Sequence, residues 1–384
     1  MKNNWPTKKL GECLIQFDRG ISWSRKDEGG TIAVLRIPNI QEGHINLDGL
    51  KYINTKNGNG ELDKNDIVMV ASNGNPDLVG RSALVTQEEM GMRFASFLIR
   101  LRFDDKKLLP QYAHLFLLTP IFKRELRRKI ATTSGIYNLR KEHIEKIKIS
   151  LPPVGIQRKI IERLDKITGA QKLNNDLIQK TDELFESLSH KELNPVGRDW
   201  EVKKLSEIGD IITGTTPSTQ NADYWDGEFL WATPTDIKKD TFILTDTPKK
   251  LSREGYDKTR PVPKNAILVT CVASIGKMVI AGKEMATNQQ INSIVCNKES
   301  DPYFIFFLLQ KNKKKLISLG KTTAVPIINK SEFGRIKIFL PPLKIQKQIV
   351  AKLSSVQDYK KQLLEQKIKL KELFGSVLSK SMKN

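Results

Sequence analysis

Apolar and polar positions alternate in short runs along most of this chain. Twice they switch to a three-and-four spacing sustained over more than thirty residues. Ile147-Lys148-Ile149 and Ile336-Lys337-Ile338 alternate at period two, the mark of a strand with one buried face. Each run meets a paired-proline stop, Leu151-Pro152-Pro153 or Leu340-Pro341-Pro342, then Ile-Gln and a long amphipathic stretch. Proline costs little in a helical first turn, so helices are predicted to begin just beyond. One places apolar groups at Ile156, Ile160, Leu164, Ile167, Ala170, Leu173, Leu177, Leu184 and Leu188. The other places them at Ile345, Ile349, Leu353, Val356, Leu363, Leu370, Phe374 and Val377. That spacing predicts coiled-coil seams over 156–190 and 345–381, each helix spanning on the order of 50 Å. Neither helix can bury its stripe alone, so the two are expected to pack against each other.

The repetition covers whole domains. Residues 142–167, EHIEKIKISLPPVGIQRKIIERLDKI, return as 331–356, SEFGRIKIFLPPLKIQKQIVAKLSSV. Trp5-Pro6-Thr7-Lys8-Lys9-Leu10 is echoed by Trp200-Glu201-Val202-Lys203-Lys204-Leu205. Both then run through a strand-like stretch to a glycine turn, Arg19-Gly20-Ile21-Ser22 and Thr213-Gly214-Thr215-Thr216. Asp66–Val70 matches Asn265–Val269, and each leads to a Gly-basic pair, Gly80-Arg81 and Gly276-Lys277. Valine and isoleucine fill these runs, with Gly, Asn, Asp and Pro between them, so each half is predicted to be mostly sheet. Helical stretches follow near 110–130 and 302–318. A spacing of about 190 residues marks duplicated domains, not a short-period solenoid. A two-fold repeated protein presents two similar surfaces to a two-fold-like partner, and duplex DNA is the commonest such partner.

Charge sharpens that expectation. With 384 residues the chain is long enough for two domains, each with its own core. Lys+Arg 64 against Asp+Glu 43 gives a net charge of +21, which points to polyanions, nucleic acid before an anionic membrane surface. No apolar run approaches the ~20 residues that span a bilayer, and the first residues lack the apolar stretch of a signal peptide, so a cytoplasmic location is expected. Cys13, Cys271 and Cys296 form neither a disulfide framework nor a zinc knuckle.

Taken together, these segments resemble the specificity (S) subunit of type I restriction–modification systems. The resemblance rests on the two Leu-Pro-Pro segments with their Ile-Gln and helix, on Thr323-Ala324-Val325-Pro326-Ile327-Ile328-Asn329-Lys330-Ser331, and on Gly214-Thr215-Thr216-Pro217-Ser218 followed by Tyr224-Trp225-Asp226-Gly227. It covers essentially the whole chain. It departs after Leu-Pro-Pro-x-x, where Ile156 and Ile345 replace the usual acid of the family. The resemblance implies an α+β fold with two similar, mainly β target-recognition domains, 1–151 and 194–340. They are followed by helical regions 152–193 and 341–384, packed as an antiparallel coiled coil with pseudo-two-fold symmetry. It implies that each domain reads half of a bipartite double-stranded DNA site and that the helices set the unread spacer. It also implies that two methyltransferase subunits dock on the chain and that motor–nuclease subunits join them in a full restriction system. The chain itself is then non-catalytic, within a type I restriction endonuclease and adenine methyltransferase complex. S-adenosylmethionine, ATP and Mg belong to the partner subunits, and no cofactor to this chain.

The residues agree about catalysis. There is no Gly-x-x-x-x-Gly-Lys-Ser/Thr loop, no glycine-rich cofactor loop after a strand and no Asn/Asp-Pro-Pro-aromatic motif. His44, His114, His143 and His190 show no ligand spacing. A nuclease centre built on Asp77 or Asp236 is the enzymatic alternative.

Candidate DNA contacts lie in loops at matching positions. Arg19, Ser22, Thr215, Thr216 and Ser218 border the glycine turns, where small hydroxyls suit close backbone approach. A plain β-turn is the bland alternative. Asn288, Gln289 and Gln290 carry amides able to bond adenine bidentately, in a segment that reads as strand before Ile291. Arg81 and Lys277 are the candidate phosphate or guanine contacts. Asn73 and Asn75 lie in a polar loop placed like Val272–Ile275, similar in flanks and different in chemistry. Ser134, Tyr137, Thr322 and Thr323 stand in the loops before the final strands. Basic runs accompany those loops: Arg124, Arg127, Arg128 and Lys129, then Lys313, Lys314, Lys315 and Lys321. Trp5 and Trp200 read as core anchors; Trp23, Tyr224, Trp225 and Trp231 read as packing under turns before base stacking. The expectation from a different class is a coiled-coil interaction or regulatory protein whose charge has no DNA role.

Overall fold

A computed structural model of the chain describes residues 5–41, 43–54, 60–133, 135–238, 241–320 and 326–382. The chain forms two units, Met1–Asn175 with Glu365–Asn384, and Asp176–Leu364. Ser134, Thr322, Thr323 and Lys321 lie outside the described residues.

In the first unit, Ile67–Val70 is apolar on both faces and therefore lies inside a sheet. The antiparallel order is Leu14–Arg19, Leu98–Phe103, Ile67–Val70, Ser82–Leu84. Ile67 and Met69 face one core with Tyr112, Phe116 and Phe122 from helices Pro110–Leu117 and Pro120–Arg127. Val68 and Val70 face the other, with Leu35 and Phe94. Each such burial is worth about 1.5–3 kcal/mol. A smaller sheet sets Glu28–Leu35 antiparallel to Lys51–Ile53 and parallel to Arg93–Phe94. Thr7–Lys9 pairs with Lys148–Ser150, closing the start of the domain onto its end.

The second unit repeats this plan. Its main sheet runs Gly209–Thr213, Ile291–Cys296, Ile267–Thr270, Met278–Ala281, with Ile243–Leu244 added in parallel at the edge. Trp225–Ala232 pairs antiparallel with Lys250–Leu251 and parallel with Ala286–Thr287. Even a bulge recurs: Glu28 and Ile32 both face Ile53, and Trp225 and Phe229 both face Leu251. Glu201–Lys204 pairs with Lys337–Leu340 as the closing strands.

One buried arrangement differs between the units. Asp66 is fully buried and accepts from the Arg102 guanidinium at 2.6 and 2.8 Å, while Arg100 lies 3.5 Å away and also pairs with Asp18. Asp66 raises the Arg102 pKa further above its ordinary value. The register moves the sequence match by one residue, so that Ile67 corresponds to Ile267, and puts Ala266, Ser293 and Ile212 where the first unit has Asp66, Arg100 and Asp18.

The paired prolines end a strand and start a helix in both copies: Val154–Glu192 and Leu343–Met382. The glutamine that follows is fully buried. Gln157 accepts from the Leu109 amide at 2.8 Å and donates to the Lys107 and Pro152 carbonyls, both at 2.9 Å. Gln346 does the same with the Asp301 amide at 2.8 Å and the Glu299 and Pro341 carbonyls at 3.0 and 2.8 Å. An amide therefore ties the long helix to the loop opening helix Pro110–Leu117 or Pro302–Lys311.

Both long helices contribute to each unit, and they run antiparallel. In the first unit Ile160, Leu164 and Ile167 share a core with Phe374, Val377, Leu378 and Met382, and Gln171 donates to the Leu370 carbonyl at 3.2 Å. In the second, Phe185, Leu188 and Leu193 share a core with Ile349 and Leu353, while Lys360 pairs with Asp182 at 2.6 Å and Lys352 with Glu192 at 3.0 Å. The seam of the first helix departs from the sequence expectation. Leu173 and Leu184 are 61% and 51% exposed, and Ala170 is exposed, whereas Asn174 and Thr181 are buried. The stripe keeps the 3.5-residue period through 160, 164, 167, 171, 174, 178 and 181, so geometry places polar residues where apolarity suggested their neighbours.

Candidate nucleic-acid interface

In each unit the main-sheet strands end together, and the loops leaving them are fastened by backbone bonds. In the first unit Gly20 N–H donates to the Leu98 carbonyl, Ile21 to Phe94, Ala71 to Phe97, Leu139 to Ala71, and Val70 to Arg81. In the second, Gly214 donates to Ile291, Thr215 to Thr287, Cys271 to Gln290, Ile328 to Cys271, and Thr270 to Lys277. The two frameworks match bond for bond. Both require glycine at one point: a Cβ on Gly20 or Gly214 would overlap the carbonyl oxygens of Phe94 and Ala95, or of Thr287 and Asn288. Gly80 and Gly276 share a left-handed backbone, φ 88° and 83°.

This scaffold brings together most of the expected contacts and alters several of them. Arg19 is exposed and donates to the Leu139 carbonyl at 3.3 Å; Ser22 is exposed. Arg81 is half-buried and Lys277 exposed, each reaching a carbonyl at 3.5 Å, Ile40 for the arginine and Pro234 for the lysine. Asn73 and Asn75 use their side-chain oxygens on the amides of Asn75 and Asp77, at 2.8 and 2.9 Å, shaping the loop. Tyr137 is half-buried against the core and stands beside Asn73 in the ladder.

In the second unit two indoles build the hydroxyl loop. Trp231 donates to the Thr215 carbonyl at 3.2 Å and Trp225 to the Ser218 carbonyl at 3.1 Å, with the rings edge-on 5.0 Å apart. These tryptophans pack under the turn. The Thr215 hydroxyl is shut away from solvent, which removes it from the surface contacts; Ser218 is exposed. Thr216 donates to the Gln289 side chain, joining residues 73 positions apart.

Asn288–Gln290 is not a strand. It is a β-turn in which the Ile291 N–H donates back to the Asn288 carbonyl at 3.2 Å. Asn288 is 8% exposed, and its amide bonds Gln290 through side chain and backbone, at 3.0 and 3.1 Å. Asn288 therefore braces the turn, because an Asx side chain satisfies local backbone more readily than it holds extended structure. Gln289 is exposed and Gln290 half-buried. The counterpart turn, Ala95 to Leu98, closes at 2.8 Å and presents Ser96 and Phe97. Sequence matching passed over it because Ala95-Ser96-Phe97 shares no residue with Asn288-Gln289-Gln290; the alignable signal is the apolar strand after each.

The basic runs flank these loops. Leu126 of helix Pro120–Arg127 touches the space above Gly80, and Lys313 of helix Lys313–Ser318 that above Gly276. The first run is partly neutralised, with Arg127 paired to Asp77 and Arg128 to Glu125 at 3.1 Å. Lys313, Lys314 and Lys315 are exposed. Burial pushes the Cys271 thiol up to about 11, so it stays protonated at neutral pH. Among the described residues no cluster of His, Cys, Asp or Glu is arranged to hold a metal, and no helix is long and apolar enough to cross a membrane.

Comparison with known proteins agrees with this duplicated plan. The chain is 35% identical over 167 residues to the type I restriction enzyme HindI specificity subunit of Haemophilus influenzae, a match spanning 41% of this chain and 36% of that protein. It is 25% identical to the MjaVIII specificity subunit of Methanocaldococcus jannaschii over 87% of this chain and 82% of that one. A chain solved in work on complex assembly and conformational transition of the type I R-M system shares the fold, with TM-score 0.67, 17% identity and coverage of 100% and 99%. The type I restriction modification DNA specificity domain matches twice, at residues 2–182 and 197–372, once for each structural repeat, and the chain therefore belongs to that family.

Proposed function

We propose that this chain is the sequence-reading subunit of a type I restriction–modification complex, with residues 1–151 and 194–340 each reading half of an interrupted duplex site. Regions 152–193 and 341–384 set the spacer and dock two methyltransferase subunits, and motor–nuclease subunits join in a restricting form. The chain itself carries no chemistry; S-adenosylmethionine, ATP and Mg act in the partners. The observation that supports this best is the matched loop framework, which holds different side chains on the same backbone bonds in each unit. Arg19, Ser22, Asn73, Asn75, Arg81, Ser134 and Tyr137 are the proposed contacts of the first domain. Thr216, Ser218, Lys277, Gln289, Gln290, Thr322 and Thr323 are those of the second, with Thr215 and Asn288 acting through the backbone of their turns.

The test is genome-wide detection of methylated bases in a host expressing this chain with its methyltransferase, beside the methyltransferase alone. A new motif of two short half-sites around a fixed gap is expected. Unchanged methylation from an assembled complex would leave a coiled-coil interaction protein in its place. Binding of the complex to the recovered site is expected to fall by about 10³–10⁵ between 50 and 200 mM salt if six to ten phosphates are neutralised. A flat salt response would remove the basic loops from the interface.

A further inference from the structure

Phe97 is 55% exposed at the second central position of a β-turn. Turn centres ordinarily carry Gly, Asn, Asp or Ser, and an aromatic there gains nothing for the turn. Among the described residues Phe97 joins none of the apolar clusters that make up the core. Its backbone is nonetheless fixed: its carbonyl accepts from Ala71 at 2.8 Å and from Ser72 at 3.3 Å. The ring is thus held outward on a rigid mount. On the neighbouring strand pair, Ile136 is a second apolar side chain left 45% exposed, next in sequence to Tyr137, which pairs with Asn73.

The same mount in the second unit carries Gln290, whose carbonyl accepts from Cys271 as that of Phe97 accepts from Ala71. One backbone position therefore presents an amide in one unit and an aromatic ring in the other. The Gln290 amide oxygen is held by the Asn288 side chain at 3.0 Å, which leaves its NH2 group to donate to a base-edge acceptor; an apolar ring suits the C5-methyl group of thymine, the one apolar feature on a major-groove base edge. The surrounding polar and basic loops, with Arg19 exposed and Arg81 beside them, favour a duplex over an apolar protein partner. We propose that Phe97 is a specificity-determining residue that recognises a thymine methyl in the half-site read by the first unit. This rests on the DNA-reading function proposed above.

The experiment uses the full chain assembled with its methyltransferase. Once the methylated motif is known, each thymine of the site is replaced singly by uracil in duplex oligonucleotides, which removes only the methyl. One uracil in the first unit's half-site is expected to weaken binding about fourfold, the value of one buried methyl group. Phe97→Gln should abolish that sensitivity and relax methylation at that base, with the other half-site unchanged. Phe97→Ser, carrying the smaller polar side chain, should do the same, and equal thermal unfolding midpoints would show that both variants fold. Uracil insensitivity of the unsubstituted protein, or an unaltered motif in both variants, overturns the assignment while leaving the two-part motif standing. Failure of the variants to assemble with the methyltransferase overturns it too, making Phe97 a protein contact. Absence of any two-part motif for the unsubstituted chain instead defeats the underlying reading.

Discussion

Replacing Gln346 with leucine isolates the contribution of the buried amide brace. The side chain has no exposed surface, and its three hydrogen bonds, at 2.8, 3.0 and 2.8 Å, reach the Asp301 amide and the Glu299 and Pro341 carbonyls. Leucine is similar in size and keeps the packing, but strands one donor and two acceptors in a seat with no solvent-exposed surface. At about 1–2 kcal/mol for each stranded group the loss is about 3–6 kcal/mol, and the added apolar burial offsets about 1–2. The net expectation is a destabilisation of about 2–4 kcal/mol. Asp301 also caps helix Pro302–Lys311 through the Tyr303 and Phe304 amides, so the first turn of that helix should loosen. Urea unfolding of the full chain, followed by tryptophan fluorescence and circular dichroism, measures the loss; amide exchange at Tyr303 and Phe304 localises it. Gln157→Leu should behave alike in the first unit, and the exposed neighbour Lys347→Leu should change stability by less than about 0.5 kcal/mol. If Gln346→Leu were no worse than Lys347→Leu, the bonds would be replaceable by water and the brace would not hold the two elements together.

Three further outcomes follow from other parts of the fold. His114 is buried against the Ser82 carbonyl at 3.4 Å, and burial pushes it down to about 4 from 6.5. The unfolded chain therefore takes up the proton first: stability is full well above pH 6.5 and falls as pH drops through 6.5 toward 4, by ~2 kcal/mol between pH 8 and 5, a slope that His114→Gln should flatten in urea titrations. Asp66→Ala takes the shared anion from buried Arg100 and half-buried Arg102, which keep only Asp18 and Asp63, and should cost about 3–5 kcal/mol by urea unfolding; the matching Ala266 faces no such arginine pair. Gly214→Ala drives a methyl into the Thr287 and Asn288 carbonyls and should cost about 1–3 kcal/mol, with faster exchange of the residue 214 amide as the local signature.

Much of this architecture was legible in the sequence because the repeat exposed it. The paired prolines announced both long helices to within two residues at each end, and the apolar runs in 66–70 and 265–269 read as strands, which the structure places at Ile67–Val70 and Ile267–Thr270. Features set by long-range register were hidden. The seam of the first helix passes through Gln171, Asn174 and Thr181, so an apolar count drifts to Leu173 and Leu184. The Asp66, Arg100 and Arg102 cluster assembles residues 34 to 36 positions apart on adjacent strands, and no local spacing announces it. Asn288 looked extended beside a strand, and only the turn showed that its amide is spent locally. Phe97 was overlooked because its equivalence to Gln290 lies in backbone bonds and not in side chains.

The loop framework is made of main-chain groups, and every residue except proline supplies the same main chain. At the turn centres its rigidity does not depend on the displayed side chain, as Phe97 and Gln290 on matching bonds from Ala71 and Cys271 illustrate, while the glycines, Asn288 and the two tryptophans brace it from beneath. Substitutions at such positions escape the usual conflict between new surface chemistry and lost fold. Displayed surfaces can therefore change at nearly constant stability, whereas changes to the glycines and buried glutamines beneath cost stability directly. Variation in this chain should accordingly be patchy, dense at turn centres and sparse one residue away.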